Sequence, residues 1–137
     1  MTVIPLSYAQ RRLWFLGRLH GPSATYNAPV VLHLDGEPDA GALALALADV
    51  VERHEVLRTV LPAGPDAEPY QRVLDEAPAA RLTAEECAPG QRDARVAAFI
   101  RQPLDITLEP PLRARLFLPG DGTSTLVLLI HHVATDG

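Results

Sequence analysis

Leu126-Val127-Leu128-Leu129-Ile130 runs directly into His131-His132-Val133-Ala134-Thr135-Asp136-Gly137, so five apolar residues in a row precede a histidine pair and an Asp-Gly step. A run of this length suits one strand and is short for a helix, and its lack of polar alternation implies a strand covered on both faces. Polar residues at the exit of such a strand sit where a cleft can open. Successive side chains of a strand point to opposite faces, so His131 and His132 are poorly placed to share one metal ion, and no metal site is expected. Two readings remain open from these residues alone. One is a strand end followed by a turn. The other is a proton-handling site built on one imidazole, whose ordinary pKa of about 6.5 allows it to accept and return a proton near neutral pH.

Working outward, residues 112–118 and 124–131 read as a β-hairpin joined by Pro119-Gly120-Asp121-Gly122. Upstream, residues 91–102 have helical spacing with Val96, Phe99 and Ile100 inward, and Pro103 to Pro111 reads as a linker. Ser7 is placed to cap a helix over residues 8–19 carrying Leu13, Trp14 and Leu16, which Gly21-Pro22 stops. Residues 28–34 read as a strand closed by Asp35-Gly36. Asp39 caps a second helix whose Leu43, Leu47, Val50 and Val51 fall on one face as far as Arg53-His54. The apolar, β-branched stretch 56–61 is expected to enter the sheet, 62–69 to be an exposed loop, 69–74 a short paired strand, and 75–90 a strand with loop. Helices and strands intermixed, with one antiparallel pair, predict an α/β sandwich: a single lobe with a mixed sheet covered by helices.

Composition narrows the function classes. At 137 residues with 47% hydrophobic content the chain is one domain long and can bury a core. A net charge of −5 without a basic run argues against nucleic-acid and anionic-membrane partners. A single cysteine, Cys87, excludes an intrachain disulfide framework and is read as an inert or surface thiol. The opening Met1-Thr2-Val3-Ile4-Pro5 lacks the basic region and apolar core of a signal peptide, so the expected compartment is the cytoplasm.

Three separated segments together carry a resemblance. Ser7-Tyr8-Ala9-Gln10-Arg11-Arg12-Leu13-Trp14-Phe15-Leu16 resembles the first core motif of nonribosomal peptide synthetase condensation domains, Ser-x-Ala-Gln-x-Arg-Leu-Trp-x-Leu. Arg53-His54-Glu55-Val56-Leu57-Arg58-Thr59-Val60-Leu61 resembles the second, with Leu61 where the family usually has Phe. His131 to Gly137 matches the third, His-His-x-x-x-Asp-Gly. Gly21 to Pro29 and Pro110 to Leu116 are similar to the family's connections, and Leu104-Asp105 stands where Phe-Asp is common.

The resemblance implies a two-lobed fold similar to chloramphenicol acetyltransferase with a tunnel between the lobes. Residues 1–137 would be the N-terminal lobe, ending inside the third motif, with the C-terminal lobe absent. The implied reaction is amide bond formation between a donor thioester on an upstream peptidyl carrier domain and the amine of an acceptor on a downstream one. Both substrates ride on phosphopantetheine, and the lobe binds no cofactor of its own. Neighbouring synthetase domains and the second lobe are the other implied partners. By the same resemblance His132 is the catalytic residue, as general base or as a group that positions the amine. His131, Asp136 and Gly137 belong to its loop, His131 as a structural residue and Asp136 through an ion pair with an arginine of the missing lobe. Arg53, His54 and Arg58 are expected to organise the lobe, and Gln10, Arg12 and Trp14 to line the substrate tunnel. Two relatives compete, an epimerisation domain and another acyltransferase of this fold; the intact first and second motifs favour condensation. A third possibility is a non-catalytic interaction or structural fragment, and the isolated 137 residues are expected to lack turnover. Gly21 to Asn27 and Pro69-Tyr70-Gln71 are similar to domains that accept a D-configured donor.

Overall fold

Ser7 opens the first helix as a reciprocal cap: its hydroxyl accepts the Gln10 N–H at 3.2 Å, while Gln10 Oε1 accepts the Ser7 N–H at 2.8 Å. Two backbone donors that the helix leaves orphaned are satisfied at once. The computed structural model describes residues 3–76 and 81–135. The element order is α1 (Tyr8–His20), β1 (Asn27–Asp35), α2 (Ala40–Arg53), β2 (Thr59–Val60), β3 (Arg72–Val73), β4 (Leu82–Glu86), α3 (Arg92–Ile100), β5 (Leu112–Leu118) and β6 (Thr123–His131). Asp39 caps α2 by accepting the Ala42 N–H at 3.1 Å.

The main sheet has the order β1-β6-β5-β4, antiparallel except for the parallel β4–β5 pair, which makes it the mixed sheet the sequence predicts. The hairpin forms as expected, with Leu112 opposite Ile130 and Phe117 opposite Thr125. β6 is covered on both faces. Val127 and Leu129 are fully buried with Phe99, Leu104 and Phe117 on the α3 side, while Leu128 and Ile130 pack with Val51 and Leu112 on the α2 side. Asn27 Nδ2 donates to the Ile100 and Gln102 carbonyls at 3.3 and 2.7 Å, tying β1 to the C-terminal end of α3.

β1 is an edge strand, and its Val30, Val31 and Leu32 are partly exposed. Its ladder is bracketed by His132 N–H to Tyr26 O and Gly36 N–H to Gly122 O, so its even-numbered residues bond to β6. Pro29 therefore falls where its missing N–H costs no ladder bond and blunts the free edge.

Three expectations need correction. Residues 56–61 do not enter the main sheet: Glu55–Arg58 forms a 3-10 turn, and only Thr59–Val60 is strand, paired with β3 in a separate two-stranded sheet. The cause is local satisfaction of polar groups, since Thr59 Oγ1 donates to Glu55 O at 2.7 Å and the Leu57 N–H to His54 O at 3.0 Å. The stretch 103–111 is more than a linker, because Leu104 and Ile106 are core residues and the Leu61 N–H bonds the Ile106 carbonyl at 2.8 Å. On α2, Val50 is exposed, while Val51 faces the core and Leu47 packs against the same cluster.

Candidate functional site

β6 ends at His131, and the chain turns at once into a short 3-10 segment, His132–Ala134. His131 is 6% exposed, and its Nδ1 accepts the Val133 N–H at 2.9 Å. An Nδ1 that accepts leaves the proton of the neutral ring on Nε2. Burial, with a smaller contribution from the adjacent His132, pushes the His131 pKa down to about 4, so this ring stays neutral at physiological pH.

His132 is anchored through its backbone: its N–H donates to Tyr26 O at 2.8 Å, and its carbonyl accepts the Thr135 N–H at 3.2 Å. The next side chain, Val133, packs on the cluster of Leu6, Trp14, Leu61 and Ile106. The turn is thus pinned from the β1 side, from β6 and from the α1 core. A side chain carried on so constrained a backbone is preorganised, which is the condition for a positioned proton acceptor or hydrogen-bonding group.

The two histidines serve different spaces, as strand alternation predicts. His132 lines a cavity of about 780 Å³ together with Ser7, Gln10, Arg12, Tyr26 and Gln71. His131 lines a separate cavity of about 520 Å³ with Trp14, Arg18, Tyr26, Leu104 and Ile106. Of the expected tunnel residues, Gln10 and Arg12 share the His132 cavity, while Trp14 stands in the other, its Nε1 donating to Leu61 O at 2.7 Å and the Arg18 guanidinium stacked 5.3 Å above its ring. Gln10 also holds the α1 cap, so it combines lining with structure.

Arg53 ends α2 and His54 follows as its C-cap, and neither lines the two histidine cavities. Arg58 bonds two carbonyls, Leu74 O through Nη1 at 2.9 Å and Glu52 O through Nη2 at 3.2 Å, clamping the end of α2 to the β3 region. Asp136 and Gly137 lie outside the described residues. Tyr26 and Gln71 are not among the expected site residues, although both lie in the stretches that are similar to domains accepting a D-configured donor. The signal for Tyr26 is the β1–β6 register, which sets Asn27 opposite His131 and hence Tyr26 opposite His132.

Cys87 packs half-buried beside the Phe99 and Phe117 core. Among the described residues no helix is long and apolar enough to cross a membrane.

Comparison with known proteins identifies the fold and the family. The chain is 47% identical over 135 residues to a dimodular nonribosomal peptide synthase of Bacillus subtilis, and 48% identical over 141 residues to an isonitrile lipopeptide synthase of Mycobacterium tuberculosis. These matches cover 98% and 99% of the chain but only 6% of each synthase. Among solved structures, the X-domain in complex with OxyB from teicoplanin biosynthesis aligns over 96% of the chain and 28% of its own, with a TM-score of 0.85 and 34% identity. The starter condensation domain of rhizomide synthetase RzmA has the same fold, with a TM-score of 0.84 and 22% identity over 97% of the chain and 33% of its own. With the condensation domain family model matching residues 1–137 throughout, the chain belongs to the condensation domain family of nonribosomal peptide synthetases.

Proposed function

We propose that this chain is the N-terminal lobe of a condensation domain that joins two carrier-bound substrates. The amine of an aminoacyl group on a downstream carrier attacks the thioester carbonyl of a donor on an upstream carrier. The new C–N bond forms as the C–S bond breaks, leaving the donor carrier's phosphopantetheine as a thiol. The attacking nitrogen loses a proton in the process, and His132 is the group to accept it or to orient the amine for attack.

The observation that carries this reading is the isolation of His132 in the 780 Å³ cavity, on a turn fixed by Tyr26, His131 and Val133. Arg12 and Gln10 supply polar groups to the same space. The second lobe would complete the tunnel, and Asp136 would order the loop from its far end. His131, neutral and committed to Val133, is the structural member of the pair.

The test uses the full-length protein with donor and acceptor carriers loaded. Condensed product on the acceptor carrier is expected, with His132→Ala lowering its rate by about 100-fold or more, the usual scale of a lost proton-handling group. Epimerised substrate without condensation would assign the chain to the epimerisation branch instead.

A second reading, a non-catalytic docking platform, draws on the 34% identity to an X-domain that was solved in complex with OxyB. Binding of a partner or carrier without product, at a level indifferent to His132→Ala, would favour it.

A further inference from the structure

The cavities at His131 and His132 have three lining residues in common, Leu13, Leu16 and Tyr26. Leu13 and Leu16 come from one side of α1, and Tyr26 faces them from the approach to β1. Tyr26 touches both histidines. Its carbonyl accepts the His132 N–H at 2.8 Å, and its ring centroid lies 6.2 Å from that of His131. Its main chain thus fixes the residue of one cavity while its ring stands against the residue of the other.

The space behind that ring is suited to a side chain. At about 520 Å³ it falls within the roughly 300–1,000 Å³ typical of small-molecule sites. Its walls combine the apolar Leu104, Ile106 and Trp14 with the polar Arg18, His20 and Asp105. His131 contributes a polar atom, because Nδ1 is taken by Val133 and Nε2 has no hydrogen-bond partner among the described residues. A buried imidazole with a spare N–H beside Trp14, Leu104 and Ile106, in a space whose rim also carries Arg18, His20 and Asp105, suits a side chain with an apolar body.

We propose that Tyr26 is a specificity-determining residue: its ring closes the chamber at His131 off from the cavity at His132, and so limits the aminoacyl side chain that can sit beside His132. The assignment rests on the condensation reading above and deepens it. Shortening the residue joins the two spaces and admits a larger apolar side chain without altering the backbone carbonyl that holds His132.

The full-length protein, with both carriers loaded, is assayed with alanyl and phenylalanyl groups presented first as acceptor and then as donor. Tyr26→Ala is expected to raise the phenylalanyl-to-alanyl rate ratio by about tenfold or more in one of the two series, whereas Tyr26→Phe keeps the ratio within about twofold. The responding series identifies whether the chamber serves the acceptor or the donor. Leu16→Ala opens the same wall from α1 and is expected to shift the same series in the same direction, which decides the matter if Tyr26→Ala does not fold. Unchanged ratios in both series for the folded wall variants overturn the proposal. A wild-type protein that condenses no loaded pair overturns the condensation reading itself, and the role of Tyr26 with it.

Discussion

The Val133 N–H donates to Nδ1 of His131 across 2.9 Å, so the first histidine of the pair holds the turn on which the second stands. That bond requires a bare Nδ1, and burial keeps it bare by lowering the His131 pKa from 6.5 to about 4. Between those two values the unfolded chain binds a proton that the folded chain refuses. Stability from this residue is therefore complete above pH 6.5 and is lost progressively as the pH falls toward 4. The loss is at most about 3 kcal/mol. Urea titrations near neutral pH and near the lower limit should show it in the wild type. His131→Asn offers an amide oxygen to Val133 but has no proton to gain, so its stability should fall less over the same interval. Equal losses in the two proteins would remove His131 as the source.

Trp14 makes a comparable commitment in the core below the site. Its indole N–H reaches the Leu61 carbonyl at 2.7 Å, inside the cluster of Leu6, Leu61 and Ile106. Trp14→Phe keeps most of the apolar surface and strands a buried carbonyl, which should destabilise the chain by about 1–3 kcal/mol. Chemical denaturation followed by far-ultraviolet circular dichroism measures this without relying on the lost indole. A change of a few tenths would mean that the Leu61 carbonyl finds another donor.

How legible this architecture was depends on whether a segment's polar groups are satisfied nearby or far away in the chain. Ser7 with Gln10, Asp39 with Ala42, and the 119–122 turn are all local, so both long helices and the hairpin follow from the sequence. Residues 56–61 are different. Their β-branched composition suggests a sheet strand, but the guanidinium of Arg58 is held by carbonyls at Glu52 and Leu74, and Thr59 bonds back to Glu55. The local bond from Thr59 and the reach of Arg58 to the Leu74 carbonyl together override the intrinsic preference for strand. Nor does spacing alone announce that β1 skips to β6, and with it Tyr26 reaches His132. The three motifs located the histidine pair and strand alternation set its rings on opposite faces; which residues wall the two cavities needed the fold.

The Arg58 clamp can be tested directly. Lysine preserves the charge but cannot donate in two fixed directions from one plane, so Arg58→Lys should lose at least one of the bonds to Leu74 and Glu52. The expected cost is about 1–2 kcal/mol, with faster amide exchange around Thr59–Val60 and Arg72–Val73, the two strands beside the clamp. Exchange that quickened uniformly over the main sheet instead would point to global destabilisation and away from a local clamp.

Gln10 allows structure and lining to be separated at one position. Its carbonyl oxygen completes the Ser7 cap, and the same residue borders the His132 cavity. Gln10→Ala removes half of the cap and should cost about 1 kcal/mol. Gln10→Glu can still accept the Ser7 N–H, and a carboxylate in the first turn suits the positive end of the helix, so stability should be kept or slightly raised. What the carboxylate changes is the charge of the cavity that, on the condensation reading, receives the acceptor amine and the donor thioester. A folded Gln10→Glu protein with the cap intact and condensation slowed by about tenfold would assign Gln10 to the substrate path. If Gln10→Glu condenses at the wild-type rate while Gln10→Ala is impaired only in stability, Gln10 acts through the helix cap alone.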